Sequence, residues 1–294
     1  MAALRFSAFV ACLALAMSCD SPPRMVSDLT DEEANENLMD RLTYLGDRIY
    51  GVPKNSTGLK VDNWDENSGV NPEELGEYAE GDILFTPQTS LRHGLSDLSK
   101  RWPNAVVPYV ISPNFSEQDH QRIYDSMDEF HRFTCVRFVP YNGKGRDYVR
   151  ITNARTGCHS AIGRRSGSQL VNLQPPGCLV PRGTISHELM HTLGFLHEHS
   201  RYDRDKYVVI YKQNVIDRLV DNFDLVSGKY TDFFGVGYDY DSVMHYSPIS
   251  FSKNGYATVL PKGNRYIPIG QRVGLSRKDI LRINRMYKCR PNNG

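Results

Sequence analysis

The stretch His187-Glu188-Leu189-Met190-His191-Thr192-Leu193-Gly194-Phe195-Leu196-His197 sets three imidazoles, a carboxylate and a glycine in one register. On a helix, His187 and His191 lie four residues apart and share one face. Two imidazoles so placed can grip a zinc ion, and Glu188 beside the first is free to reach a water bound to it. Gly194 ends the helix, because glycine takes the left-handed C′ conformation without steric cost. The chain then turns back and delivers His197 as a third ligand. The chemistry such a group offers is hydrolysis by a metal-activated water with a carboxylate as general base. The plainer reading is an amphipathic helix with incidental histidines. It leaves the register of five residues without a cause.

Elements on both sides must hold that helix in place. Val106 to Ile111 reads as a strand, and further strands are expected at 135–140, 147–152 and 168–173. A helix is expected from Ser116, with Asp119 at N3 and an apolar stripe of Ile123, Met127, Phe130 and Phe133 facing the core. Thr184 to Ser186 supply caps for the histidine helix. A last helix opens at Ser276, with Asp279 three residues on, and runs to Cys289. Strands thus precede the histidine helix and mostly loops follow it. A cleft is expected between a sheet-bearing half and an irregular half, with the metal at its floor. Further upstream, a helix is expected at 31–44, capped by Thr30 with Glu33 at N3, and the stretch 51–72 reads as loop.

The chain has 294 residues and a net charge of +1, which conceals a division. Residues 20–92 carry 16 acidic and six basic side chains, net −10, whereas 93–294 carry 18 and 28, net +10. Halves of opposite charge suggest that the first masks the second. The basic residues of the second half are scattered and no nucleic-acid motif is present, so nucleic-acid binding is not expected. Arg5 followed by apolar Phe6 to Met17 reads as a signal peptide, with cleavage after Ala16 or Ser18, and no later stretch reads as a membrane span. The expectation is a secreted protein free of the membrane and monomeric. Cys12 and Cys19 belong to the leader and its edge. Cys135, Cys158, Cys178 and Cys289 remain, enough for two disulfides in any of three pairings. Their spacing lacks the close CxxC of a zinc site. Asn55 and Asn114 head glycosylation sequons.

His187 through Asp205, HELMHTLGFLHEHSRYDRD, resembles the extended zinc motif of the astacin metalloproteases, a branch of the metzincins. Ser242-Val243-Met244-His245-Tyr246 resembles that family's Met-turn, and the similarity runs from about Trp102 to Cys289. The resemblance implies an α+β, metzincin-like zincin fold. It would have a twisted, mostly parallel N-terminal sheet, two long helices, an active-site cleft and an irregular C-terminal part ending in a helix. It implies a zinc endopeptidase acting on proteins or peptides, with one Zn²⁺ held by His187, His191 and His197. Glu188 would be the general base, and Tyr246 a resting zinc ligand that swings to the oxyanion. Met244 would pack beneath the metal, and Glu198 would meet the mature N-terminal amine. His199 and His245 are not expected to bind zinc, and Arg201, Asp203, Arg204 and Asp205 are expected in ion pairs. The implied disulfides are Cys135–Cys289 and Cys158–Cys178. The second closes a loop of roughly 20 residues, which the chain-entropy account values at about 3 kcal/mol.

The resemblance also implies how the enzyme is kept silent. Glu80-Gly81-Asp82-Ile83 resembles a pro-segment motif whose aspartate binds zinc in the latent form, although Ala79 stands where the family usually has Phe, with Tyr78 beside it. A tethered carboxylate has an effective concentration on the order of mM, enough to displace a weakly held water. The implied layout is a signal peptide at 1–18, a pro-segment at 19–92 and a catalytic domain at 93–294, with no accessory module. A trypsin-like protease would cut between Arg92 and His93. The segment Cys158 to Leu173 resembles the family's upper rim, where a substrate would add as an extra strand. The primed-side pocket would form after Tyr246. One of Lys253, Lys262, Arg265 or Arg272 would there favour acidic substrate side chains. Two other classes are a catalytically silent binding protein on the same scaffold and a structural matrix protein. The intact metal and base residues argue against the first, and the lack of repeats against the second.

Overall fold

A computed structural model describes residues 52–84, 98–226 and 231–290 of the chain. The expected leader, the helix at 31–44 and the Arg92–His93 bond lie outside the described residues. Strand β1 (Val106–Ile111) pairs in parallel with β2 (Arg137–Pro140) on one side and β3 (Tyr148–Thr152) on the other. β5 (Ser168–Leu173) adds in parallel to β3, and β4 (Cys158–Ser160) closes the edge antiparallel to β5. The order β2-β1-β3-β5-β4 is therefore a mostly parallel, five-stranded sheet, and an antiparallel pair, β6 (Val208–Ile210) with β7 (Val259–Pro261), lies in the second half.

Four α-helices complete the described fold: α1 (Asn55–Asp62), α2 (Glu117–Phe133), α3 (Arg182–Leu193) and α4 (Arg277–Met286). The Ser116 hydroxyl accepts from the Asp119 N–H and caps α2. Ile123, Met127 and Phe130 are buried beneath it, but Phe133 is 53% exposed. The apolar stripe therefore ends one turn earlier than its spacing implies. Every residue of α3 from Gly183 to Leu193 is buried. A helix covered on all sides is held by its surroundings rather than by amphipathicity. Ile185, Leu189 and Leu193 join the main core with Val149, Ile151 and Val171 of the sheet, which fixes the helix against the strands. Cys135 is bonded to Cys289, and Cys158 to Cys178.

β2 begins at Arg137 rather than 135 and β3 at Tyr148 rather than 147, and three further differences from the sequence expectation have causes. α3 starts at Arg182, not at Thr184 to Ser186, because both hydroxyls are committed elsewhere. Thr184 Oγ1 donates to Glu73 Oε2 at 3.2 Å and Ser186 Oγ to Glu129 Oε2 at 3.0 Å. The early Gly183 N–H is instead satisfied by the Arg272 carbonyl at 2.8 Å. α4 ends at Met286, before Cys289. The supposed loop 51–72 contains α1. That helix includes a glycine and has no side-chain N-cap, so local propensity does not make it. Contact makes it: a β-carbon on Gly58 would stand 2.1 Å from the Arg155 carbonyl oxygen, so only glycine admits the approach.

Candidate metal centre

Helix α3 carries His187, Glu188 and His191, and Gly194 terminates it with φ +111°, its N–H returning to the His191 carbonyl at 2.9 Å. The chain reverses and His197 comes back over the helix. Each imidazole is oriented through Nδ1. His187 Nδ1 meets the Val243 carbonyl at 2.8 Å, His191 Nδ1 the Phe195 carbonyl at 2.7 Å, and His197 Nδ1 the Glu80 carboxylate at 2.6 Å. All three partners are acceptors, so each Nδ1 carries the proton and each Nε2 presents a lone pair.

Those lone pairs converge. His187 Nε2 lies 3.2 Å from His191 Nε2 and 3.2 Å from His197 Nε2. Asp82 completes the group, with Oδ2 at 2.9 Å from His187 Nε2 and 3.2 Å from His197 Nε2, and Oδ1 at 3.4 Å from His191 Nε2. The four side chains form a cluster able to hold a metal ion. With each Nδ1 bonded outward, three imidazole nitrogens and a carboxylate face one another, a donor set that suits a divalent cation. A tetrahedral zinc with Zn–N of 2.0–2.1 Å has ligand-to-ligand edges of about 3.3–3.4 Å, close to the spacings found. The residues present fit zinc.

Electrostatics sort the neighbours into roles. Burial lowers the His187 pKa to about 3, which favours the neutral ring a metal requires. Glu188 is fully buried, and neither of its oxygens has a protein partner. Burial, with Asp82 and Glu73 adding repulsion, pushes its pKa well above the ordinary value. An unpartnered buried carboxyl next to a metal cluster is poised to trade protons with a group that enters the cleft. Tyr246 is 1% exposed. Its hydroxyl donates to the Glu80 carbonyl at 2.5 Å, and its ring stacks on His199 with centroids 3.7 Å apart. Burial, then Glu80 and Asp82, raise its pKa well above 10, so the hydroxyl stays a donor.

The turn Ser242 to Tyr246 orients the cluster from below, since the Val243 carbonyl receives His187 Nδ1–H and the buried Met244 gives its carbonyl to the Glu198 N–H at 2.9 Å. Helix α4 holds that turn. Asp279 accepts from Ser242 Oγ at 2.6 Å and from the Val243 N–H at 2.9 Å, besides closing a capping box with Ser276. Sequence reading saw Asp279 only as a cap. Its reach to the turn spans some 36 residues and leaves no local signature. Burial outweighs these bonds and the nearby Arg282, and raises the Asp279 pKa to about 6. Asp279→Ala leaves two backbone N–H groups and a hydroxyl unpaired in the interior. It is expected to lower stability by about 2–4 kcal/mol, read as a lower urea midpoint. An unchanged midpoint would show that α4 does not support the turn.

The remaining expected residues are distributed as follows. Glu198 is buried and paired with Arg282, its Oε1 also taking the Asp239 N–H at 2.7 Å, beside a cavity of about 30 Å³ lined by Gly194, Phe195 and Met286 among others. His199 and His245 stand outside the cluster, bonded to the Asn222 carbonyl and the Tyr238 hydroxyl. Arg201 grips Asp203, and Arg204 grips Asp205. Asn55 and Asn114 are exposed. Of the four candidate cations, Lys253 pairs with Asp217 and Lys262 with the Asp205 carbonyl, while Arg265 lies by Tyr266. Only Arg272 is buried, with Nε donating to Glu73 Oε1 at 2.5 Å and Nη1 to the His245 carbonyl at 3.1 Å.

Sequence reading missed how the upstream segment is fastened. Glu74 receives the Ser247 N–H and Oγ–H, both at 2.6 Å, immediately after Tyr246. Tyr78 is fully buried, edge-on to His159, and donates to the Thr156 carbonyl at 2.7 Å. Ile83 pairs in parallel with Ser160 on the free edge of β4. Upstream residues thus occupy both the metal cluster and the sheet edge.

The family model described as Astacin, a family of peptidases, matches residues 94–288. The chain belongs to the astacin family. Astacins are zinc-dependent peptide hydrolases with one catalytic zinc, and among the described residues the cluster above, whose three histidines lie in the matched domain, is able to hold a metal ion. The chain is 42% identical to zinc metalloproteinase nas-7 of Caenorhabditis elegans, over 74% of this chain and 56% of that protein. It is 40% identical to the low choriolytic enzyme of Oryzias latipes, over 75% of this chain and 81% of that one. The solved structure of high choriolytic enzyme 1, a hatching-enzyme zinc-protease of Oryzias latipes, superposes with a TM-score of 0.60 at 40% identity, covering 65% of this chain and 94% of that one. The chain spans about half the length of the nematode relatives nas-7, nas-14 and nas-13. Among the described residues, no helix is long and apolar enough to cross a membrane.

Proposed function

We propose that this chain is a secreted zinc endopeptidase made as a latent precursor. The observation that carries the reading is the convergence of three Nε2 atoms, those of His191 and His197 each 3.2 Å from that of His187, beside a buried glutamate with no protein partner. His187, His191 and His197 would hold the zinc. When bound, the ion supplies an acidified water and polarises the substrate carbonyl. Glu188 takes the proton from the attacking water and hands it to the leaving amine. Tyr246, kept protonated by burial, donates its hydroxyl to the carbonyl oxygen as charge develops there. His187, fixed through the Val243 carbonyl, keeps the ligand set rigid.

Substrates are proteins or peptides added along β4, where the Asp82 carbonyl and the Leu84 N–H now bond the Ser160 backbone. In the precursor, Asp82 would hold the zinc together with the three imidazoles. A trypsin-like cut between Arg92 and His93 ends that state, and the freed α-amine docks in the cavity beside Glu198. The division at 19–92 and 93–294 matches the acidic and basic halves, the secreted route fits two disulfides, and Asn55 and Asn114 are available to glycans. The cut enzyme acts as a monomer. Arg272 favours acidic side chains in substrates, with Glu73 standing in for one in the precursor. Peptides differing by Asp or Leu just after the scissile bond are expected to be cleaved unequally, and equal rates contradict that preference. The proposal as a whole predicts casein digestion by the cut protein. A zinc chelator abolishes it and added zinc restores it. Digestion unaffected by chelation contradicts the reading.

A further inference from the structure

Residues 52–84 hold the rest of the chain at three footholds, and only one of them involves the metal cluster. The first is α1. Gln174 Nε2 donates to the Gly58 carbonyl at 2.9 Å and to Asp62 Oδ1 at 2.5 Å, and Val61 is 1% exposed against Gly177. The second is the pair of buried glutamates, Glu73 on Arg272 and Glu74 on Ser247. The third is the run from Tyr78 to Leu84, with Asp82 among the imidazoles and Ile83 on the β4 edge.

Cutting the chain after Arg92 breaks none of these contacts. It removes the tether, so an intramolecular association becomes a bimolecular one with the same surface. Leaving that surface would cost Arg272 the carboxylate that its Nε meets at 2.5 Å and Ser247 both of its bonds to Glu74. The opposite net charges of the two halves, −10 and +10, add long-range attraction and fast rebinding.

We propose that residues 52–84 are a protein inhibitor in their own right. After the cut, the segment stays seated as a noncovalent block of the cleft. Activity begins only when it dissociates or is itself digested, and a segment shed by one copy silences another. The metal contributes one foothold of three, so chelation does not release the segment. This inference rests on the zymogen reading above.

The test cuts the full-length chain after Arg92 with a trypsin-like protease, confirms the cut by mass, and runs the product on gel filtration with and without chelator. Residues 52–84 are expected to co-elute with the catalytic part in both runs. Peptide hydrolysis at high protein concentration is expected at least tenfold below that of the same material freed of the segment, and dilution produces activity after a lag. Glu73→Gln, which alters neither Asp82 nor any residue after the cut, is expected to shorten the lag at least tenfold. Asp62→Ala serves as the second variant should Glu73→Gln fail to fold, because it loosens α1 alone. Separate elution with full activity at the moment of cutting overturns the proposal, as does a lag that neither variant changes. Co-elution is scored without reference to activity. Segment-free material that never hydrolyses peptide therefore counts against the peptidase reading and not against the seated segment.

Discussion

Glu188→Gln is expected to keep one zinc per chain and to lose ~10²–10⁴-fold in turnover with little change in KM. The replacement has the same shape, and no protein group depends on the carboxylate, since neither oxygen has a protein partner. Folding is therefore not at risk. Burial already raises the pKa of Glu188 well above its ordinary value, so a neutral amide removes a desolvation penalty and the thermal midpoint is expected to hold or rise. What disappears is a buried carboxylate next in sequence to His187 that no protein group uses. Steady-state peptide hydrolysis, read beside zinc content and melting temperature, separates the two effects. Unchanged hydrolysis by a folded, zinc-loaded Glu188→Gln protein contradicts the general-base role.

Asp82→Ala is expected to give the uncut chain at least tenfold more peptide hydrolysis than the uncut wild type. The variant removes the carboxylate that lies 2.9 Å from His187 Nε2 and 3.2 Å from His197 Nε2. It leaves the Glu73–Arg272 and Glu74–Ser247 contacts and the Ile83–Ser160 bridge intact. The expected activity therefore stays below that of the cut enzyme, because the cleft remains partly filled. The chain must be shown by mass to be uncut before the assay. Uncut Asp82→Ala protein as silent as the wild type would mean that the aspartate is not the latch.

What was legible in the sequence was local. The spacing of His187 and His191, the glycine that stops α3 and the Ser116 cap with Asp119 each act within one helical turn, and the structure reproduces them. Strand β1 has the expected bounds, Val106–Ile111. The fold class followed from family resemblance, and the sheet order β2-β1-β3-β5-β4 agrees with it.

What stayed hidden was written in long-range partners. Helix α1 read as loop because its stability comes from Gln174 and Arg155, more than 90 residues away, and not from its own propensity. Glu73 and Glu74 read as ordinary acidic residues, yet they are 1% and 3% exposed because Arg272 and Ser247 neutralise or bond them. The early start of α3 was missed for a related reason. Hydroxyls at Thr184 and Ser186 that resemble caps instead bond Glu73 and Glu129, and no local pattern distinguishes the two uses.

The departure at Ala79 acquires a physical reading. With alanine at that position, Tyr78 supplies the aromatic anchor. It is buried edge-on against His159, and its hydroxyl spans the Lys54 N–H and the Thr156 carbonyl. The anchored residue in turn receives the Gly81 N–H on its carbonyl at 3.0 Å, one residue before Asp82. Gly81 itself has φ +93°, and a β-carbon there would stand 2.8 Å from the Phe251 ring. A side chain at that position would push Asp82 away from the imidazoles.

The most direct measurement is the zinc content of folded, cut protein freed of its upstream segment. One zinc per chain is the expected value, falling to near zero in His191→Ala protein of otherwise native circular dichroism. Cut protein that hydrolyses peptides without stoichiometric zinc, or that keeps its zinc when His191 is replaced, contradicts the assignment of His187, His191 and His197 as the metal's ligands.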